Sequence, residues 1–132
     1  MPIPAEGGLV KQYSAVFSSG TAANTVKSVY FTEDGTNTTM DRSMQLQEQG
    51  VAVFVSNPAT DTDIIVSLFA TVSIYGTDYE VKLGEFTVPA SGEMGYAVGF
   101  GLIRKGLRID LENAASPAAD ATVAVSVVPC NG

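Results

Sequence analysis

Few residues in this chain are suited to chemistry near neutral pH. Its 132 residues include no His and no Trp, and Cys130 is its one Cys. His is the side chain whose ordinary pKa lies near neutrality, so an enzyme built on this sequence would need carboxylates, Lys or Tyr with strongly shifted pKa values. A nucleophilic Ser or Cys needs an activating base, and no spacing points to a pair with Lys82 or Lys105. The sequence therefore predicts a protein that is not an enzyme and has no catalytic residues.

Carboxylates are plentiful, but their spacing does not match a metal site or a hydrolase. Asp61 and Asp63 alternate with Thr in a loop between two predicted strands. Calcium takes about six to eight oxygen ligands, whereas this loop has no Gly at its turn and no Glu at its far end. A glycosidase needs two carboxylates held across a cleft, and 14 acidic residues provide such pairs by chance. We interpret these residues as turn residues, and we predict no metal and no cofactor.

The charge balance argues against several classes of partner. The formal net charge is −7, from 7 basic and 14 acidic residues. Nucleic-acid binding requires cationic surface that displaces counterions from phosphates, and the densest basic group, Arg104, Lys105 and Arg108, is typical of a solvated turn. No apolar run approaches the roughly 18 residues of a membrane-spanning helix, and the first residues lack the features of a secretion signal. We expect no nucleic acid and no membrane among its partners.

Alternating apolar and polar residues predict an all-β fold. The strongest alternation runs over residues 64–75, with a turn expected at residues 76–78. The strand that follows ends before Pro89, and an extra residue beside Gly84 indicates a β-bulge. These two strands are predicted to form a long antiparallel hairpin.

Further strand patterns occur on both sides of this hairpin, at residues 51–55, 94–102, 107–111 and 123–127, with weaker patterns at 26–31 and 9–17. The alternation at 107–111 predicts a strand that buries Leu107, Ile109 and Leu111 on one face. Turn signals at this spacing favour an antiparallel β-sandwich or a jelly-roll-like barrel of about six to eight strands. Residues 1–25 are predicted to form an extended N-terminal arm that becomes ordered on a partner, and residues 26–132 the β-sandwich domain.

Two groups of residues are candidates for contact with a partner. In the first, the small residues Gly95, Ala97, Gly99 and Gly101 share one face of a predicted strand. Gly in a strand weakens it, so this face either admits another backbone or belongs to a curved strand whose glycines are covered by facing aromatic rings. Both interpretations remain open.

The second group lies in the N-terminal segment, where Leu9, Tyr13, Val16 and Phe17 are spaced among polar residues. A segment of this composition buries little by itself. It would become ordered by adding main-chain hydrogen bonds at the edge of a partner's sheet, or it is a first strand with a frayed end.

Three stretches of the chain resemble a known family. They read VAVFVSNPATDTDIIVSLFATV, YEVKLGEFTVPASGE and GLRIDLENAASPAADATVAVSVV. In style and composition they are similar to the head decoration, or cement, proteins of tailed bacteriophages. The resemblance covers the chain from about Val51 to its end.

The resemblance implies a virion structural protein on the outer capsid surface, made in the host cytoplasm, which stabilises contacts between neighbouring major capsid subunits. The implied partners are the major capsid protein and further copies of the chain, with a homotrimer favoured. A carbohydrate- or receptor-binding β-sandwich module is the alternative. Such modules usually present aromatic platforms, for which this chain offers 5 Tyr and no Trp.

Overall fold

The structure is a computed structural model that describes residues 11–31, 50–98 and 107–130. These residues form eight antiparallel strands: β1 (Lys11–Phe17), β2 (Val26–Phe31), β3 (Gly50–Asn57), β4 (Ile64–Ile74), β5 (Thr77–Val88), β6 (Gly92–Val98), β7 (Leu107–Asn113) and β8 (Ala121–Cys130). In these ranges there is no helix of the length and apolarity needed to cross a membrane. The predicted all-β fold is confirmed.

The strands make two sheets of four. Sheet A has the order β1-β8-β3-β6, and sheet B has the order β2-β7-β4-β5. The chain passes from one sheet to the other at every connection except the turn between β4 and β5. This order is that of a jelly roll, an eight-stranded sandwich of two Greek keys. The predicted sandwich architecture is confirmed, and its strand order is now defined.

The two ends of the sandwich are built differently. At one end, which we call the loop end, β4 begins at Ile64, which pairs with both Val88 and Asn113. At the opposite end, which we call the hairpin end, Tyr75 and Gly76 connect β4 to β5. Four connections between the sheets lie at the loop end: residues 18–25, 58–63, 89–91 and 114–120.

Alternate side chains of the strands point between the sheets and form one apolar core. In β7, Leu107, Ile109 and Leu111 are fully buried, as the sequence predicts. Burial of a side chain of this size contributes about 1.5–3 kcal/mol. The core contains Tyr13, Phe17, Val29, Val53, Val55, Ile64, Val66, Leu68, Ala70, Val88, Leu107, Ile109, Leu111, Val123, Val125 and Val127.

The predicted bulge in the β4–β5 hairpin is confirmed. Leu68 pairs with Gly84 and Phe69 pairs with Lys82, which leaves Leu83 as the extra residue on β5. An added residue of this kind increases the local twist of the strand. The bulge therefore changes the direction of β5 midway along the longest pair of strands.

The predicted position of the hairpin turn is wrong. The sequence pattern placed it at residues 76–78, but Ile74 and Thr77 already form a cross-strand pair. The turn is made by Tyr75, with φ of 50°, and Gly76, with φ of 83°. Positive φ at both central residues defines a type I′ turn, whose twist matches that of the two strands.

The N-terminal strand belongs to the sandwich. β1 lies at the edge of sheet A and pairs with β8 from Lys11↔Val127 to Phe17↔Ala121. The sequence left open whether this segment is an arm that becomes ordered on a partner or a first strand of the domain. For residues 11–17 the structure shows a first strand, whereas residues 1–10 lie outside the described residues. The strand predicted at 94–102 corresponds to β6 as far as Val98, and its remaining residues also lie outside the described ranges.

Candidate interaction surfaces

The candidate residues of the N-terminal strand fall on opposite sides of sheet A. Tyr13 and Phe17 point into the core, with exposed fractions of 7% and 0%. Both side chains therefore pack in the core, and their predicted contact with a partner stays a prediction. Val16 points outward and is 47% exposed. Leu9 lies outside the described residues.

The small residues of β6 have aromatic cover at one position. Gly95 pairs with Phe54 of β3, and a Cβ atom at Gly95 would lie 2.7 Å from Cε1 of that ring. The Phe54 ring thus covers Gly95, which matches the interpretation that facing aromatic rings cover the glycines of this strand. Ala97 pairs with Ala52 and is exposed, so a partner contact there stays a prediction. The remaining candidates, Gly99 and Gly101, lie outside the described residues.

The outward side of sheet A, which we call the outer A face, is almost without charge. Among the described residues its one charged member is Glu93, near one end of the edge strand β6. Phe54 stands near its middle and is 51% exposed. The full face consists of Gln12, Ser14, Val16, Ala52, Phe54, Ser56, Glu93, Gly95, Ala97, Thr122, Ala124, Ser126 and Val128. This face therefore carries little of the chain's net charge of −7.

The outward side of sheet B, the outer B face, carries a network of ion pairs. Arg108 contacts Asp110 at 3.1 Å, pairs with Glu80 across the sheet, and lies over the ring of Phe69 at 4.3 Å from its centroid. Ser28 donates a hydrogen bond to Asp110 at 2.7 Å. Arg108, part of the predicted basic group, is therefore neutralised within the protein, whereas Arg104 and Lys105 lie outside the described residues.

One ion pair of the outer B face shifts a pKa. Lys82 Nζ lies 2.5 Å from Glu85 Oε1, and both side chains are about half exposed, at 48% and 50%. The hydrogen bond from Lys82, together with its positive charge, lowers the pKa of the Glu85 carboxyl from its ordinary value of 4.5. Such a pair is screened by solvent and stabilises the fold only slightly.

The carboxylates of the loop end hold the loops together. Asp61 accepts a hydrogen bond from the Ala118 amide at 2.9 Å, and Asp63 accepts one from the Ala90 amide at 3.0 Å. No group of three or more potential metal ligands occurs in the part of the chain that the structure describes. Both Asp residues therefore have the turn role that the sequence predicts.

Three buried polar side chains complete the loop end. Asn57, Thr62 and Asn113 have exposed fractions of 1%, 4% and 0%. Asn113 accepts a hydrogen bond from the Thr25 amide at 2.8 Å and donates to the Ala22 carbonyl at 3.0 Å. Buried polar groups are tolerated only when they are hydrogen-bonded. Their bonds thus fix the loops that join the sheets.

The hairpin end exposes apolar side chains that the sequence analysis did not single out. Within the described residues, the pairing of β7 with β4 ends at Ala70↔Leu107, and the β4–β5 hairpin continues beyond this pair to its turn. Ala70 is fully buried, whereas four apolar side chains farther along the hairpin are exposed. The exposed fractions are 49% for Ile74, 103% for Tyr75, 51% for Tyr79 and 44% for Val81. The signal in the sequence was Tyr75 directly before Gly76, where type I′ turns favour Asn or Asp.

Comparisons with known proteins add little to this geometry. The sequence matches no protein-family model and no curated protein. Similar solved structures include the Yersinia pseudotuberculosis-derived mitogen, with a TM-score of 0.44, 8% identity, and coverage of 91% of this chain and 85% of that chain. They also include the decameric BFDV capsid protein, with a TM-score of 0.39, 10% identity, and coverage of 92% and 94%.

A third similar structure is the CBM22-1 and GH10 part of the Clostridium thermocellum xylanase 10B complexed with xylohexaose. Its TM-score is 0.42 at 12% identity, and the match covers 89% of this chain but 28% of that chain. Similarity at these scores carries no argument about what this chain does. The resemblance to phage decoration proteins has no support from these comparisons.

Proposed function

We propose that the protein is a virion structural protein, a decoration protein that binds the outer surface of an assembled phage head. The observation that carries the proposal is the outer A face. It offers a four-stranded surface of small uncharged side chains around the exposed Phe54 ring. An uncharged surface of this kind accepts a second protein without burying unpaired charges, which are costly to desolvate. The sequence resemblance supplies the identity of that second protein, the major capsid protein.

The charge of the chain supports a position outside the shell. At a net charge of −7, the protein is repelled by packaged nucleic acid, whose phosphates attract cationic surfaces. The outer B face, with its carboxylates paired to Arg108 and Lys82, is suited to face water. In this arrangement the outer A face contacts the head and the outer B face is exposed to solvent.

Stabilisation of the head would follow from mass action. A protein that binds the assembled lattice but not its separated subunits stabilises the lattice by its binding free energy. A closed oligomer, such as the trimer that the resemblance implies, would contact several subunits at once, so that weak contacts combine into tight binding. No covalent chemistry is required of the protein in this role.

The test uses heads from the virus that encodes the chain, stripped of the protein and then recombined with it. Added wild-type protein should bind the heads and raise the temperature at which they break. Ala124→Lys places a charge on the outer A face and should weaken binding by at least about tenfold, because that charge would be buried. Thr87→Lys is the matched control, since it makes the same change in net charge at an exposed position of β5 on the outer B face. Equal binding by the two variants would refute the assigned face, and unchanged head stability with the wild type would refute the function.

The alternative of a carbohydrate- or receptor-binding module has one observation in its favour. Tyr75 and Tyr79 are exposed at the hairpin end, and exposed aromatic rings are the usual platform for sugars. Clear hits on a glycan array with the purified wild-type protein, lost on Tyr79→Thr, would favour this alternative over the decoration protein.

A further inference from the structure

Tyr75 has a backbone conformation that its side chain does not favour. Its φ of 50° lies in the left-handed region, which Gly and Asn adopt readily and bulky residues rarely do. The type I′ turn demands positive φ at this position. Another residue type would therefore make the same turn with less strain.

Among the described residues, no packing of the Tyr75 side chain compensates for this strain. The side chain is 103% exposed. A strained residue without local compensation is a common mark of a functional position. The neighbouring exposed side chains Ile74, Tyr79 and Val81 extend the apolar surface along the same hairpin.

We propose that Tyr75 is the anchor residue of an interface, inserted by the β4–β5 hairpin into an apolar pocket on the major capsid protein. This inference rests on the proposed function and adds a second contact to the outer A face. Tyr is enriched among residues that dominate binding energy, because its ring is large, loses little conformational entropy and carries a hydroxyl for one hydrogen bond. The paired backbone on both sides of the turn fixes the position of the Tyr75 backbone before binding, so less backbone entropy is lost on association.

The charges of the chain indicate what surrounds this pocket. Asp78 lies two residues after Gly76 of the turn, and the chain as a whole has a net charge of −7. Complementary potentials direct association, so the rim of the pocket should be basic. The same charges disfavour a membrane with anionic lipids.

The deciding experiment measures stability and binding on the same variant. Tyr75→Asn replaces the ring by a residue suited to the turn, so its Tm should rise by a few degrees. Its affinity for stripped heads should fall by about tenfold to thirtyfold, the loss expected for a residue that dominates binding. Tyr75→Phe keeps the ring and should retain most of the binding. Val26→Thr is the control, since Val26 is 51% exposed near the loop end, and it should leave both quantities unchanged.

The opposite signs of the two effects distinguish an anchor from a structural residue. A lower Tm for Tyr75→Asn would show that the ring stabilises the fold, and a higher Tm with unchanged head binding would show strain without an interface. Either result overturns the proposal while leaving the function intact. Failure of the wild-type protein to bind heads would refute the decoration function and the capsid pocket together. Three other results would overturn the capsid pocket and identify a different occupant. They are self-association in sedimentation, binding to phosphatidylglycerol vesicles and binding to a glycan array, each lost when Tyr75 is replaced.

Discussion

The loop end and the hairpin end of the sandwich differ in how their exposed segments are held. At the loop end, the buried side chains Asn57, Thr62 and Asn113 bind the backbone of the loops. At the hairpin end, the β4–β5 hairpin continues beyond its described pairing with β7 and exposes Ile74 and Tyr75. In the described part of the chain, the loop end is thus held by buried hydrogen bonds, whereas the hairpin end exposes apolar side chains.

The two outer faces show the same division. On the outer B face, the charges of Arg108 and Lys82 are neutralised by carboxylates of the same chain. On the outer A face, charge is nearly absent among the described residues, and Phe54 is half exposed. Charges neutralised within the chain and exposed to water need no partner, whereas an exposed uncharged sheet surface gains from being covered. The proposed contacts are therefore on sheet A and at the hairpin end.

The largest effect on stability is expected at the loop end. Asn113→Ala would leave the Thr25 amide and the Ala22 and Ala115 carbonyls without their partner in a buried site. Because unsatisfied buried polar groups are costly, the free energy of unfolding should fall by about 2–4 kcal/mol. Thr77→Ala at the hairpin end should change it by about 0.5 kcal/mol or less. Chemical denaturation of both variants measures the two values, and similar losses would contradict the division between the ends.

A smaller loss is expected where the loop end is exposed. Asp63→Ala removes the hydrogen bond from the Ala90 amide, a group that water can reach, so the loss should be about 0.5–1.5 kcal/mol. This variant also tests the interpretation of Asp61 and Asp63 as turn residues. Addition of calcium or of a chelator should leave the Tm of the wild type unchanged. A calcium-dependent rise that disappears in Asp63→Ala would instead identify a metal site.

Features set by neighbouring residues were predictable from the sequence. Strict alternation identified the buried face of β7, because adjacent side chains of a strand point to opposite sides. An extra residue beside Gly84 interrupts this alternation and therefore identified the bulge. The resulting prediction of a β-sandwich followed from many such segments together.

Features set by register or by strain were not predictable. The cover of Gly95 by Phe54 depends on the pairing of β3 with β6, which lie far apart in the sequence. The turn position was misjudged because Tyr75 adopts a conformation against its own preference. The burial of Tyr13 and Phe17 was not predictable, because sparse apolar residues among polar ones do not reveal the edge of a core.

The smallest effect is expected from the ion pair on the outer B face. Because the Lys82 ammonium lowers the pKa of Glu85 in the folded protein, the stabilisation is present above the unfolded value of 4.5 and is lost as the pH falls through the lower folded value. Glu85→Gln should therefore reduce the Tm slightly at pH 7, and the difference from wild type should vanish as the pH falls below this range. Glu93→Gln, which makes the same change in charge on the outer A face, should show no such loss at pH 7. Thermal unfolding of the three proteins from pH 7 to about pH 3 measures this, and a difference that grows on acidification would contradict the direction of the pKa shift.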